Sequence, residues 1–216
     1  MGHIVLLGDS IFDNAAYVNP GEDVTSLLKA ALPAGWGATL RAVDGACLQN
    51  VGPQLVSLPE DTTHLAFSCG GNDALGYLGV LSRSAGTIGE ALAELNQVRV
   101  GFWEEYYETL RSIVDLGLPV IACSIYDPQF DEDLQGSAEA ALCLFNDGIT
   151  RAMFRLGTSL LDLRCLFDAP EDMANPIEPS VIGGGKIAAA LGAWCTGRPG
   201  PVSTAVSYTH LRAHET

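Results

Sequence analysis

Ser10 is the residue whose position in this sequence best suits nucleophilic chemistry. It follows a short apolar run, residues 4–7, and directly succeeds Gly8 and Asp9. A serine at a tight turn after a strand exposes its hydroxyl at the sheet edge, where a base can reach it. Gly-Asp-Ser by itself also suits a simpler role as a helix N-cap. A carboxylate elsewhere in the chain can also take a serine proton.

The elements that must position these residues are visible as short apolar runs alternating with longer amphipathic segments. This alternation indicates βαβ units and a parallel sheet with helices on both faces. The predicted strands are residues 4–7, 38–43, 65–68, 120–125 and 159–163. The predicted helices are residues 23–32, 90–116, 137–156 and 181–194, and residues 75–89 have loop character.

Small and polar residues follow the predicted strands, at the sheet edge where ligands bind in open α/β folds. By itself, Gly-Gly-Asn-Asp is typical of a turn. The blocks are Gly8-Asp9-Ser10, Asp44-Gly45, Gly70-Gly71-Asn72-Asp73 and, before the last predicted helix, Asn175-Pro176-Ile177-Glu178-Pro179-Ser180.

In this order the blocks resemble the GDSL or SGNH hydrolases, over the chain from Met1 to about Trp194. The resemblance implies an α/β domain over residues 1–196, with a three-layer α/β/α flavodoxin-like fold and a five-stranded parallel sheet. It implies ester hydrolysis, because the family consists mostly of esterases, lipases, thioesterases and carbohydrate deacetylases. It also implies that Ser10 is the nucleophile and that the oxyanion hole comprises the Ser10 amide, the Gly45 amide and the Asn72 side chain.

The sequence departs from the family where the catalytic base is expected. The family's Asp-x-x-His motif aligns here with Asn175-Pro176-Ile177-Glu178, so Asn175 replaces the aspartate and Glu178 replaces the histidine. A glutamate of ordinary pKa is a weaker base than imidazole, but burial beside apolar groups raises the pKa of a carboxyl. We therefore predict Glu178 as the general base.

The four histidines are poorly placed to act as the general base in place of Glu178. His3 begins the first strand, roughly 20 Å from Ser10 by strand rise, and His64 begins the third, roughly 25 Å from its Asn72 end. His210 and His214 lie in the last residues of the chain, which differ in character from the rest. No histidine is predicted to be catalytic.

Other polar residues near the predicted site have supporting or alternative roles. Asp162 ends the fifth predicted strand and is an alternative base or a partner of Glu178. Asn175 would hydrogen-bond to Glu178 and set its rotamer. Asp9 would brace the first turn, and Asp13 would cap the segment that follows.

Composition excludes several classes of protein. Acidic residues outnumber basic ones 26 to 11, which gives a net charge of −15 and disfavours binding to nucleic acid or to an anionic membrane. The first residues lack the basic segment of a signal peptide, and no apolar run is long enough to span a bilayer, so we expect a cytoplasmic location. The six cysteines form no CxxC pair, so we expect free thiols and no metal site.

Residues 197–216 are predicted to be a non-native tail. They begin with a Pro/Gly/Ser-rich stretch, and residues 206–216 resemble the translation of a transposase adapter used in sequencing libraries. These residues are therefore left out of the predicted fold and site.

The sequence as a whole predicts a serine ester hydrolase, similar to carboxylesterases and lipases, that cleaves a small acyl ester through an acyl-enzyme on Ser10. No metal or organic cofactor is expected, and the expected partner is a small-molecule ester; monomer and homodimer are both open. Two alternatives are a ligand-binding protein of the same fold without catalysis, and an acyltransferase.

Overall fold

Strands and helices alternate along the chain in the computed structural model, which describes residues 1–198 and the backbone of residues 205–207. The strands are β1 (Gly2–Gly8), β2 (Trp36–Leu40), β3 (His64–Ser68), β4 (Val120–Cys123), β5 (Ser159–Leu161), β6 (Met173–Asn175), β7 (Glu178–Pro179) and β8 (Ala205–Ser207). The main sheet has the order β2-β1-β3-β4-β5-β8, in which the first five strands are parallel and β8 pairs antiparallel with β5. Strands β6 and β7 form a separate antiparallel hairpin.

The described residues also form seven α-helices. These are α1 (Val24–Ala31), α2 (Val51–Gln54), α3 (Gly71–Gly76), α4 (Ile88–Val114), α5 (Glu132–Leu156), α6 (Leu163–Leu166) and α7 (Val181–Thr196). One face of the sheet is covered by α1 and α7, and the other by α4 and α5. The architecture therefore has three layers, as the sequence predicts.

The continuous apolar run in β1 is explained by this double cover. Ile4 and Leu6 pack in the core on the α1 and α7 side, whereas Val5 and Leu7 pack on the α4 and α5 side. All four side chains are fully buried. A strand covered on both faces needs apolar residues at successive positions rather than at alternate ones.

The sheet order brings the predicted site residues to one crevice. The chain leaves β1 for β2 on one side and later returns to β3 on the other, so the strand order reverses between β1 and β3. Ligands bind in such folds at the carboxyl ends of the strands on either side of this reversal. Ser10 follows β1 and Asn72 follows β3, and Gly8 and Ser68 are register partners at the ends of these strands.

The predicted five-stranded parallel sheet is confirmed, and the structure adds the antiparallel edge strand β8. The four predicted helices are confirmed with different boundaries. Helix α4 begins earlier because Thr87 caps it: the Glu90 amide donates to Thr87 Oγ1 at 3.1 Å. Helix α5 begins at Glu132, and its acidic first turn is favourable at a helix N-terminus. The predicted loop 75–89 contains the end of α3 and a 3₁₀ turn, Leu78–Val80.

All six cysteines are free thiols, and three of them are buried: Cys69, Cys123 and Cys195. Within the described part of the chain, no helix is both long and apolar enough to cross a membrane. The predicted non-native tail lies outside the described residues except for residues 197–198 and the backbone of β8.

Candidate active site

The turn that carries Ser10 depends on a close approach between β1 and β3. Gly8 has a φ of +123°, and a Cβ at this position would lie 1.7 Å from the Ser68 carbonyl oxygen, so only glycine fits. The Asp9 amide donates to the same carbonyl oxygen at 3.0 Å. The Asp9 carboxylate then accepts a hydrogen bond from the Ile11 amide at 3.2 Å, which closes the turn around Ser10. Asp9 therefore ties this turn together through its side chain.

The loop after β2 is tied to the same turn. The Asp44 amide donates to Asp13 Oδ2 at 2.9 Å, so Asp13 joins two loops of the site rather than capping the segment that follows it. The adjacent Gly45 has a φ of +74°, a conformation in which a side chain is strained. The geometry of this loop therefore depends on glycine at the position where a backbone donor is predicted.

Asn72 lies in the first turn of α3, and its side-chain amide faces the Gly45 loop. Asn72 Nδ2 donates to the Ala46 carbonyl oxygen at 3.0 Å. A side-chain amide has two N–H groups, so a second donor is still available. Among the described residues, neither the Ser10 amide nor the Gly45 amide has a hydrogen-bond acceptor. Three unused N–H donors therefore belong to the loops that surround Ser10.

Glu178, on strand β7, lines the same cavity as Ser10 and Asn72. Its side chain is 4% exposed, and Oε2 has no hydrogen-bond partner among the described residues. Burial raises the pKa of this carboxyl, and the net value is about 7. A hydrogen bond donated by the Ser10 hydroxyl partly opposes this rise, and the negative charge of Asp44 adds to it.

The hairpin that presents Glu178 is held from several sides. Asn175 Oδ1 accepts a hydrogen bond from the Ile177 amide at 3.0 Å, and the Tyr126 hydroxyl donates to the Ile177 carbonyl oxygen. Asn14, fully buried after the Ser10 turn, donates from Nδ2 to the Pro179 carbonyl oxygen at 3.2 Å. Asn175 therefore closes the turn of the hairpin. The prediction was a hydrogen bond from Asn175 to the Glu178 carboxylate, whereas the Asn175 side chain accepts one from the Ile177 amide.

A partly buried ion pair anchors the start of the hairpin to α7. Asp172 is fully buried, and its Oδ2 accepts a hydrogen bond from Lys186 Nζ at 2.7 Å. The Ser180 amide donates to the Asp172 carbonyl oxygen at 2.8 Å. Sequence patterns do not reveal the roles of Asp172 and Lys186, because these residues are far apart in the chain and meet only in the folded protein. Asn14 also positions the hairpin, and its signal in the sequence is a polar side chain four positions after Ser10.

Asp162 forms its side-chain interactions with Arg164 and Ser124. It caps α6, forms a bidentate ion pair with the Arg164 side chain at 2.8 and 2.6 Å, and accepts a hydrogen bond from Ser124 Oγ at 2.8 Å. Although burial opposes it, the combined effect of the Arg164 and Ser124 hydrogen bonds lowers the pKa of this carboxyl. The structure does not bring Asp162 into the cavity with Ser10 and Glu178.

Asp9 is a second buried carboxyl at the site. It is 2% exposed and lines the cavity beside Ser10. Burial raises its pKa to about 8, helped by the charges of Glu178 and Asp73 and opposed by the hydrogen bond from the Ile11 amide. At neutral pH the Asp9 carboxyl is therefore mostly protonated, and the site avoids two negative charges beside Ser10.

Replacing Asp9 with asparagine is expected to stabilise the protein increasingly as the pH rises from about 4 to 8. In this window the unfolded wild type loses the Asp9 proton while the folded wild type retains it. The contribution of Asp9 to the wild-type free energy of unfolding therefore falls as the pH rises. The gain of the variant at pH 8 should be on the order of 2–5 kcal/mol, measured by urea unfolding. The exposed substitution Glu60→Gln is the control. Equal pH dependence in wild type and Asp9→Asn would contradict the assignment.

The two histidines in the described part of the chain lie at the opposite edge of the sheet, as predicted. His3 hydrogen-bonds to Asp61 at 2.9 Å and to Thr39 at 2.8 Å. His64 packs between the rings of Trp36 and Trp194. His210 and His214 lie outside the described residues.

In the described ranges, no cluster of three or more His, Cys, Asp or Glu residues is arranged to hold a metal ion. The residues of the site are a serine, N–H donors and two buried carboxyls, those of Asp9 and Glu178. Together they can activate a hydroxyl and stabilise negative charge on an oxygen beside it.

Comparison with known proteins gives likenesses of structure and not of sequence. No family model and no curated protein matches the chain. The phospholipase A1 of Streptomyces albidoflavus NA297 superposes with a TM-score of 0.67 at 16% identity, covering 89% of this chain and 98% of that one. An extracellular lipase from Streptomyces rimosus gives a TM-score of 0.64 at 18% identity, covering 86% and 96%.

A member of the lipolytic G-D-S-L family from Veillonella parvula DSM 2008 gives a TM-score of 0.61 at 16% identity, covering 90% of this chain and 97% of that one. At such low identity these likenesses establish the fold. The chain has the fold of the G-D-S-L lipases and esterases, as its motifs predict.

Proposed function

We propose that this chain is a serine ester hydrolase of the GDSL/SGNH type, in which Ser10 is the nucleophile and Glu178 is the general base. One observation carries the proposal: Ser10, Asn72 and the buried carboxyl of Glu178 line one cavity. Burial raises the pKa of this carboxyl to about 7, which suits a base at neutral pH. The names of structures with this fold, which include a phospholipase A1 and a lipase, support ester hydrolysis as the reaction.

In the first step, Ser10 Oγ attacks the carbonyl carbon of the ester while the Glu178 carboxylate takes the hydroxyl proton. The carbonyl π electrons move to oxygen, and a tetrahedral intermediate forms. Glu178 then gives the proton to the leaving alcohol as the carbon–oxygen bond breaks, which leaves an acyl-enzyme on Ser10. A water molecule then attacks the acyl carbon while Glu178 takes its proton, and a second tetrahedral intermediate forms. As the bond from this carbon to Ser10 Oγ breaks, Glu178 returns the proton to Ser10 Oγ, which releases the carboxylic acid and restores the enzyme.

The oxyanion of the intermediate would be stabilised by the unused donors of the site. These are the Ser10 amide, the Gly45 amide and the second N–H of Asn72. Removing one such donor from an oxyanion hole typically costs about 2.7–4 kcal/mol of transition-state stabilisation. The bond from Asn72 to the Ala46 carbonyl oxygen orients the remaining N–H before substrate arrives.

A glutamate base needs different support from a histidine base. Histidine must be held in one tautomer, which is the role of the aspartate in a Ser-His-Asp triad. A carboxylate has no tautomer to select, so Asn175 is free to close the hairpin turn instead. What a carboxylate lacks is basicity, and burial supplies it by raising the pKa of Glu178 to about 7.

A fluorophosphonate probe tests the proposal, because its phosphorus is attacked only by an activated serine. We expect one equivalent of label, located on Ser10 by peptide mass spectrometry, and a labelling rate that rises with pH through about 7 as Glu178 ionises. Heat-denatured protein is the control. Absence of labelling at every pH would refute the enzyme and favour the ligand-binding alternative.

A further inference from the structure

Asp9 is a buried carboxyl that the proposed reaction does not use. Its side chain is 2% exposed, and the described residues that line the cavity around it include neither lysine nor arginine. The charges of Glu178 on β7 and of Asp73 on α3 both act on Asp9, and both are negative. Burying a carboxylate without a cationic partner is costly, so these surroundings favour the protonated form of Asp9.

Several other ionisable groups are close enough to Asp9 for its charge to act on them. They are thiols and phenols from the loop after β2, the end of β3, β4, the segment after β4, and α4. These groups are Cys47, Cys69, Cys123, Tyr126 and Tyr106. Burial raises the pKa of each of them, and a thiol or a phenol carries no positive charge at any pH. They therefore cannot neutralise an ionised Asp9.

The Asp9 carboxyl lies close to two of the N–H donors proposed for the oxyanion hole. Four covalent bonds separate its carboxyl carbon from the Ser10 amide nitrogen, so these two atoms are at most about 5 Å apart. A Cβ on Gly71, the residue before Asn72, would lie 3.9 Å from Asp9 Oδ2, so this oxygen faces the start of α3. A negative charge on Asp9 would therefore lie within about 8 Å of an oxyanion bound to the Ser10 amide.

We propose that Asp9 must be protonated for the site to be active, because an ionised Asp9 repels the negative charge that develops in the oxyanion hole. At this distance the repulsion of two unit charges corresponds to a rate loss of about tenfold or more. Glu178 must be ionised to take the serine proton, so in the active form the two carboxyls hold a single proton, on Asp9. Asp9 touches no reacting atom and is a positioning residue. The proposal rests on the proposed function, since it concerns the oxyanion formed when Ser10 attacks an ester.

The pH dependence of hydrolysis by wild type and Asp9→Asn tests the proposal. Asparagine keeps an oxygen that can accept from the Ile11 amide, but it cannot ionise. Burial raises the pKa of Glu178 to about 7 and that of Asp9 to about 8. Wild-type kcat/KM for p-nitrophenyl butyrate, corrected for spontaneous hydrolysis, should therefore rise through about pH 7 and fall at least about tenfold by about pH 10. Asp9→Asn should keep the rise and lose the fall. An equal fall in both proteins, or an inactive Asp9→Asn that is folded by circular dichroism, would overturn the proposal.

Two neighbouring carboxyls provide a matched pair of variants. The negative charge of Asp73 raises the pKa of Asp9, whereas that of Asp44 raises the pKa of Glu178. Asp73→Asn should therefore move the alkaline fall to lower pH and leave the rise in place. Asp44→Asn should move the rise to lower pH and leave the fall in place. The opposite pattern, or a fall that does not move in Asp73→Asn, would contradict the assignment of the fall to Asp9.

Binding of butyrate separates this inference from the proposed function. The butyrate carboxylate presents a negative oxygen to the same N–H donors, and Glu178→Gln removes the second carboxyl of the cavity wall. By calorimetry, butyrate should bind Glu178→Gln at least about tenfold more weakly at about pH 10 than at about pH 6, and adding Asp9→Asn should abolish the difference. If that result came with a wild type that hydrolyses no ester, the role of Asp9 would stand and the hydrolase would fail. Hydrolysis by wild type, with butyrate binding that is absent or independent of pH, would overturn the inference and leave the hydrolase intact. Absence of both hydrolysis and pH-dependent binding would overturn both.

Discussion

Replacing Ser10 with alanine is expected to lower kcat for hydrolysis of a p-nitrophenyl ester by about 10⁴- to 10⁶-fold. The variant keeps the cavity, the backbone donors and Glu178, but it has no oxygen that can form the acyl-enzyme. The site is held by bonds to backbone and to Asp9, so the fold should survive the loss of one hydroxyl. Initial rates with purified wild type and variant give the ratio directly.

Ser124→Ala is the matched control for this prediction. Ser124 also lines the cavity, but its hydroxyl donates to Asp162 and accepts a hydrogen bond from the Leu163 amide. Its loss should change kcat by less than about tenfold. If Ser10→Ala retained wild-type activity, Ser10 would not be the nucleophile, and the proposed reaction at this site would be wrong.

Replacing Glu178 with glutamine is expected to lower kcat by about 10²- to 10⁴-fold, the range typical of a lost general base. Glutamine has nearly the same shape as glutamate but cannot take the serine proton. In the wild type, activity should rise with pH through about 7, because the carboxyl must be ionised to accept the proton. This rise should be absent from the residual activity of Glu178→Gln. A rate profile from pH 4 to 9 measures both effects.

Asp162→Asn tests the other carboxylate that the sequence makes a candidate. Because Asp162 is paired with Arg164 and Ser124, we expect its substitution to leave the pH profile unchanged. Glu178→His offers a complementary check, since an imidazole at this position should retain activity with a profile centred near 6.5. If Asp162→Asn lost the activity that Glu178→Gln kept, the assignment of the base would have to be reversed.

Much of the fold was predictable because it follows from the local pattern of apolar and polar residues. Residues 4–7 are all apolar, and a strand covered on both faces requires this composition. Alternation of such runs with amphipathic segments determines a parallel sheet, and a parallel sheet brings the residues after its strands to one edge. The positions of Ser10, Gly45 and Asn72 at that edge therefore follow from sequence order alone.

Several properties of the site depend on contacts between distant parts of the chain. The sequence names Glu178 and Asp162 as candidate bases, but only the folded structure buries the first beside Ser10 and pairs the second with Arg164. The pKa of a carboxyl depends on its desolvation and its partners, and neither is visible in a local pattern. For the same reason, the raised pKa of Asp9 was not predicted.

By itself, then, the sequence determined the fold class, the edge of the sheet where chemistry can occur and the position of His3 and His64 away from that edge. The tertiary structure decided which candidate carboxyl lines the cavity with Ser10, in which direction burial shifts its pKa, and where the cavity lies. The cavity beside Ser10 is lined by residues of α3, α4, α5 and β7, which are distant from one another in the chain. Such a space is a property of packing between elements, whereas sequence periodicity reports only the face that each element buries.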